Sequence, residues 1–246
     1  MRIIAGEFRS RALEAPSGLA TRPTSDRLRE TLFNVIALRI KRSDGGAAFL
    51  DLYAGSGAVG IEALSRGAAN VVFVERAPAA LAVLRANLAR LGLSEGFQIH
   101  AGSVGAWLRK FATGAGLGRK AGREPERKPG PAPAFDLVFL DPPYDAAQEY
   151  AATLGLLGGA AGLLAQGALV IAEHRRKERL EDCYGSLERT RLLEQGDAAL
   201  SFYAALAGCP DRKKPRPGGS CASGAGLLLK RRVILARRPP PPARRW

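Results

Sequence analysis

The chain has 246 residues, 46% of them apolar, and a formal net charge of +14, so one domain with a full core and an attraction to polyanions are expected. Its three cysteines (Cys183, Cys209, Cys221) lack a CxxC pairing and its two histidines are His100 and His174, which excludes a disulfide framework, a zinc site and a histidine-based triad and fits a reducing cytoplasm. The charge is uneven: residues 208–246 carry eleven Lys/Arg against one acid, the first 42 residues nine against four, and residues 135–207 six against eleven, so the two ends point to nucleic acid.

The opening "MRIIAGEFRSRALEAP" has too short an apolar run for a signal peptide and reads as a small hairpin carrying Arg2, Arg9 and Arg11. "TSDRLRETLFNVIALRI" follows as an amphipathic helix, with Thr24 and Ser25 as candidate caps and Leu28, Leu32, Val35 and Ile36 on one face. From Phe49 onward, apolar runs alternate with helical patterns. Strands are predicted at 49–52, 70–75, 97–101, 137–140 and 168–172, and helices at 58–66 and 78–91, the second opened by Pro78 and closed by Gly92. This alternation predicts an α/β fold with a doubly wound, mostly parallel sheet. "LERTRLL" (187–193) and "AALSFYAAL" (198–206) flank "EQGD" and predict a hairpin, hence a final antiparallel strand. Residues 112–134, rich in Gly, Pro and charge, read as a flexible insertion, and 208–246 as a basic tail, disordered by default. The uncharged stretch Ala151 to Ala172 is long enough to cross a bilayer, but five glycines interrupt it, and a helix, a turn and a strand are expected instead.

Two stretches carry chemistry. "DLYAGSGAVGIEA" runs from the first strand into a helix; Gly55, Gly57 and Gly60 satisfy GxGxxG, and Glu75 lies 20 residues beyond Gly55. A tight turn, a backbone free of Cβ atoms and a carboxylate for a ribose diol suit several nucleotide cofactors, nicotinamide ones included. The strand "LVFL" stops at "DPPY" because Pro142 and Pro143 cannot donate ladder hydrogen bonds. Asp141 and Tyr144 are then left at the carboxyl edge of the sheet, where ligands gather. A nicotinamide enzyme needs no such motif. A methyl donor built on adenosine needs the glycine loop, Glu75 and a second site for the methyl acceptor. Asp51, at the mouth of the first strand, can reach a cationic amino-acid moiety such as that of S-adenosylmethionine.

"DLYAGSG", "VFVER" and "FLDPPY" together resemble three motifs of the S-adenosylmethionine-dependent methyltransferases, and the DPPY form resembles those acting on exocyclic amino groups of nucleobases. "MRIIAGEFRSRALEAP", "GLATRPTSDRLRETLFN", "EALSRGA" and "GDAALSFY" are similar to the RsmD family of bacterial 16S rRNA guanine-N2 methyltransferases, over residues 1 to about 206. The resemblance implies a Rossmann-like class I fold with a small N-terminal extension, S-adenosylmethionine as cofactor, and 16S rRNA, within a 30S subunit or assembly intermediate, as partner of a monomer that uses neither metal nor membrane. It assigns the catalytic grip to Asp141, the Pro142 carbonyl and Tyr144. It assigns the cofactor to Thr24, Asp51, Gly55, Gly57, Glu75, Ser103 and Asp141, and RNA phosphates to Arg2, Arg9, Arg11 and Arg22. Ser103 departs from the family, standing where an acid near the adenine is usual. Methylation of another base, such as adenine N6 in DNA, a noncatalytic RNA-binding role and a nicotinamide oxidoreductase remain the alternatives.

Overall fold

The computed structural model describes residues 1–15, 26–41, 45–112, 134–143, 147–160 and 162–205. In chain order the elements are α1 (Asp26–Ile40), β1 (Ala48–Leu52), α2 (Ala58–Ser65), β2 (Asn70–Glu75), α3 (Pro78–Arg90), β3 (Phe97–Ala101), α4 (Val104–Ala112) and β4 (Phe135–Leu140). They continue with α5 (Ala147–Gly159), β5 (Leu164–Arg175), β6 (Cys183–Tyr184), β7 (Leu187–Gln195) and β8 (Ala198–Ala205). One sheet holds all the strands in the order β3-β2-β1-β4-β5-β8-β7-β6. The first five pair in parallel and the last three antiparallel.

Successive side chains in a strand point to opposite faces, and this alternation splits the core in two. Phe49, Phe73, Leu137, Phe139 and Ile171 face α1, α2 and α3. Leu50, Leu52, Val72, Val138 and Val170 face α4 and α5. Because both faces are covered, the central strands read as unbroken apolar runs, which is why they were legible.

Differences from expectation have local causes. β5 extends at both ends beyond 168–172: at its start Leu164 pairs with Phe135 of β4, and at its end the long antiparallel β8 pairs with it as far as Arg175. α4 opens at the Ser103 hydroxyl, which accepts the Ala106 N–H at 3.4 Å. In α1, Leu28, Leu32 and Ile36 are buried as expected and Val35 only partly, while Arg29 is 0% exposed on the same face. The uncharged 151–172 stretch is divided between α5 and β5, and no helix among the described residues is long and apolar enough to cross a membrane.

The N-terminal segment doubles back through a single bridge, Arg2 to Ala12, with the Ile3 N–H donating to the Arg11 carbonyl at 3.0 Å. Glu62 of α2 anchors it: its carboxylate accepts the N–H groups of Ile4 (2.8 Å) and Ala5 (3.0 Å) and pairs with Arg66 at 2.7 Å. Arg29 completes the anchor, donating to the Arg2 carbonyl and pairing with Asp26 at 3.0 Å. Arg22, Thr24, Ser25, Tyr144, residues 113–133 of the expected insertion and the whole 208–246 tail lie outside the described residues.

Candidate active site

The strand order reverses between β1 and β4, and at such a point the loops leaving two neighbouring strands part to open a crevice. A cavity of about 520 Å³ opens there, lined among others by Asp51, Tyr53, Gly55, Glu75, Ser103 and Asp141. That is the scale of a nucleotide-sized ligand site.

The glycines of the loop after β1 do different work. Gly57 has φ +80°, and a Cβ there would stand 2.3 Å from Leu84 Cδ1; at Gly60 a Cβ would stand 2.3 Å from Phe73 Cε1. Both are needed for α2 to lie close on α3 and β2. Gly55 (φ +57°) is open instead, with nothing nearer to its missing Cβ than Tyr53 O at 3.9 Å.

Glu75, at the end of β2, ties this loop down. Its Oε2 accepts the Gly55 N–H at 2.8 Å, and its Oε1 accepts the N–H groups of Arg76 (2.8 Å) and Ala77 (2.7 Å). A carboxylate has about four acceptor sites. Three are used, which leaves one free acceptor site, on Oε2.

Asp51 is 2% exposed, and its Oδ2 accepts the Gly60 N–H at 2.8 Å. Burial pushes its carboxyl up to about 8, with the Glu75 charge adding to the effect. Asp141 ends β4 and lines the cavity. Register sets it level with Tyr53 on one side (Leu52 opposite Leu140) and Glu173 on the other (Leu140 opposite Ala172). Burial, then the charges of Glu173, Asp51 and Glu178, hold its carboxyl well above the usual carboxylate range. Among the described residues no Lys or Arg forms an ion pair with Asp51 or Asp141. Both acids therefore face the cavity without a paired cation, while Arg76 and Arg109 lie elsewhere on its wall.

Three further groups were not legible as site residues. Tyr53 has φ +61°, uncommon outside glycine, and its hydroxyl donates to Glu149 Oε2 at 2.8 Å and meets Thr153 Oγ1 at 2.7 Å. The end of β1 is thereby locked to α5, and burial first of all raises the phenol. Asn87, 0% exposed in α3, donates to the carbonyls of Ser56 (3.0 Å) and Glu14 (3.1 Å) and accepts the Glu14 N–H at 2.9 Å. It joins the glycine loop to the N-terminal segment, whose Met1 and Ala15 reach the cavity. An Asn amid strong helix formers in "LRANLAR" is the signal that could have found it. Glu62, the acid in "GIEALS", is the equivalent signal for the anchor.

The expected RNA contacts divide. Arg2, Arg9 and Arg11 are exposed. The tip of their segment packs at Ser65, where the Glu7 N–H meets the Ser65 carbonyl (2.8 Å) and the Phe8 N–H its hydroxyl (3.0 Å). That is the far end of α2 from Gly57. Ser103 lines the cavity with its hydroxyl engaged as the α4 cap. Among the described residues, no group of His, Cys, Asp and Glu is arranged to hold a metal ion.

A glycine loop after β1, an acid closing β2 and an Asp-Pro-Pro ending β4 across the switch point define a class I methyltransferase. The family model described as Conserved hypothetical protein 95 matches residues 1–204, and the chain belongs to that family, the RsmD group of rRNA methyltransferases. It is 35% identical over 203 residues to "Putative rRNA methyltransferase YlbH" of Bacillus subtilis, covering 82% of this chain and 98% of that protein. It is 35% identical over 144 residues to "Ribosomal RNA small subunit methyltransferase D" of Escherichia coli, covering 58% of this chain and 60% of the relative. The solved structure of "Putative methyltransferase yhhF from Escherichia coli" superposes with a TM-score of 0.66 at 30% identity, covering 85% of this chain and 99% of that one.

Proposed function

We propose that this chain methylates the exocyclic N2 amino group of a guanine in small-subunit ribosomal RNA, with S-adenosylmethionine as donor. The observation that carries the reading is the pair of buried carboxylates, Asp51 and Asp141, facing one cavity without a cation of their own. They fit a cofactor that is itself cationic, and the open backbone at Gly55 with the free Glu75 Oε2 site fits its ribose. The relatives' names add the substrate: one is a small-subunit ribosomal RNA methyltransferase.

When bound, S-adenosylmethionine supplies a methyl group on a sulfonium, already a good leaving group. The chain's own task is the acceptor, because guanine's N2 lone pair is delocalised into the ring. Asp141 and the Pro142 carbonyl accept hydrogen bonds from the amino group, drawing the nitrogen toward tetrahedral geometry and aiming its lone pair. This is positioning and electrostatic stabilisation, and the amino proton leaves after transfer. Pro142 and Pro143 hold that grip with φ fixed. Tyr144 stacks on the base, which has to be turned out of the RNA to reach the cavity. Thr24 holds the methionine end of the cofactor, Ser103 lies near its adenine, and Arg2, Arg9, Arg11 and Arg22 meet phosphates. The protein acts as a cytoplasmic monomer on RNA within a 30S particle or its precursor.

The test is transfer of labelled methyl from S-adenosylmethionine to naked RNA, 30S particles and DNA, followed by identification of the labelled base. N2-methylguanosine in small-subunit RNA supports the reading. Label in DNA adenine, or cofactor binding without transfer to any of the three, refutes it. Asp141→Ala should abolish transfer and weaken cofactor binding only in part, since Asp51 still faces the cation, and a fall in transfer no larger than the fall in affinity would refute its role as the group gripping the base.

A further inference from the structure

On the RNA reading above, a strand must deliver one base to Asp141, which brings the phosphates flanking that nucleotide to the rim of the cavity. Arg76 and Arg109 line the cavity from the loop after β2 and from α4, whereas on the β4–β5 side cations are few. Residues 135–207 hold six Lys/Arg against eleven acids, yet four of the six, Arg175, Arg176, Lys177 and Arg179, fall within five consecutive positions. They form the end of β5 and the turn beyond it. Asp141 stands level with Glu173 in the β4–β5 register, so this turn leaves the sheet beside the acceptor acid and at the same edge.

The turn is held in shape by its backbone. The Arg176 N–H donates to the Asp197 carbonyl at 2.8 Å, and the Glu178 N–H to the Arg175 carbonyl at 2.9 Å. Arg176, Lys177 and Arg179 are exposed, and none of the three makes an ion pair or side-chain hydrogen bond among the described residues. Arg175 is half-buried and already engaged. Two of the four acids nearby are withdrawn. Glu178 turns inward, its Oε2 buried without a hydrogen-bond partner and its charge acting on Asp141. Asp182 is taken by Arg189, which leaves Glu181 and Asp197 as the exposed acids near the three cations. The tip carrying Arg9 does not duplicate this position, since it packs at Ser65, one length of α2 from the glycine loop, about 12 Å for its eight residues.

We infer that the turn 176–179 is a second phosphate-binding surface, with Arg176, Lys177 and Arg179 holding the backbone of the RNA strand on the acceptor side of the cavity. It does not overlap the contacts assigned to the N-terminal segment, and it acts on position rather than base identity.

The experiment uses the full chain and a small-subunit rRNA fragment, with affinity measured from about 50 to 200 mM KCl. The triple variant Arg176→Gln/Lys177→Gln/Arg179→Gln should lower the slope of log affinity against log salt by about 2, at about 0.7 per lost contact. Its deficit relative to wild type is then about 20-fold larger at the low-salt end than at the high-salt end. S-adenosylmethionine affinity and melting temperature should not change. If the triple variant melts early, Lys177→Gln alone should still lower the slope by about 0.7. An unchanged slope overturns the inference, and so does an equal fall on replacing the exposed Arg27, Lys41 and Arg85 by Gln. Methyl transfer is scored separately: its absence in the wild-type chain speaks against the substrate, whereas the slope decides the surface.

Discussion

Replacing Glu75 by Gln separates two roles that the same carboxylate could have. If Glu75 served only a ribose, the ligand-free protein would not notice the change. The structure places it instead as acceptor for three backbone N–H groups, those of Gly55, Arg76 and Ala77, at 2.7–2.8 Å. A Gln side chain keeps one oxygen, which can serve either Gly55 or the Arg76–Ala77 pair, and turns an N–H₂ group toward the donors it cannot serve. One or two charge-assisted bonds are lost, each worth about 1.5–3 kcal/mol, for a destabilisation of about 2–4 kcal/mol after partial relaxation. For a domain of this size that is a fall in melting temperature of roughly 5–15 °C. Thermal unfolding without cofactor, followed by calorimetry, measures it, and cofactor affinity is titrated on the same preparations. A Glu75→Gln protein that melts within about 1 °C of wild type but has lost cofactor binding would refute the tethering argument and restore a ribose-only role.

Gly57→Ala should cost about 2–4 kcal/mol in urea unfolding, combining a positive φ with a Cβ 2.3 Å from Leu84 Cδ1. Gly55→Ala, whose Cβ would enter open space beside the cavity, should cost about 1 kcal/mol but weaken cofactor binding at least about tenfold. Asn87→Leu removes three buried hydrogen bonds and should lower stability by about 2–4 kcal/mol, with a rise in KM for the cofactor larger than any fall in kcat. Asp51→Asn should flatten the pH dependence of stability. Its folded carboxyl, at about 8, sits above its unfolded value, so the stabilisation present below about pH 4 is lost as pH rises toward 8, at up to about 1.4 kcal/mol per pH unit. Parallel melting-temperature curves for the two proteins across that range would show the assignment to be wrong.

The layered sheet was legible because its central strands are covered on both faces. Phe49–Leu52, Val71–Val74 and Leu137–Leu140 are apolar at every position but Asp51, and the exception is a site residue. The glycine loop and the strand-ending Asp141 were legible as motifs because their spacing is set by covalent geometry within one turn. Arg29, Glu62, Asn87 and Tyr53 were not. Their partners lie between 3 and about 100 positions away in sequence, and only the packed tertiary structure brings them together. Burial makes each of them consequential, since a polar group removed from water must find its partner inside the fold.

The acidic surroundings of Asp141 were legible only in part, since Asp51 and Asp141 were expected at strand ends and Glu173 was not. Asp51, Asp141 and Glu173 sit on three adjacent strands, and nothing in their spacing along the chain says that their side chains share one region. The sheet register does that, bringing the carboxyl ends of β1, β4 and β5 level. Burial first, and then the charges of neighbouring carboxylates, make Asp51 and Asp141 hold their protons. A bound cation reverses this: it supplies the missing opposite charge, lowers both carboxyls and leaves Asp141 able to accept hydrogen bonds. Cofactor binding then releases protons, so affinity should rise with pH until the group near 8 has titrated. On the proposed reading, the order of events follows from the same electrostatics, because Asp141 becomes a full acceptor once the cationic donor is already in place.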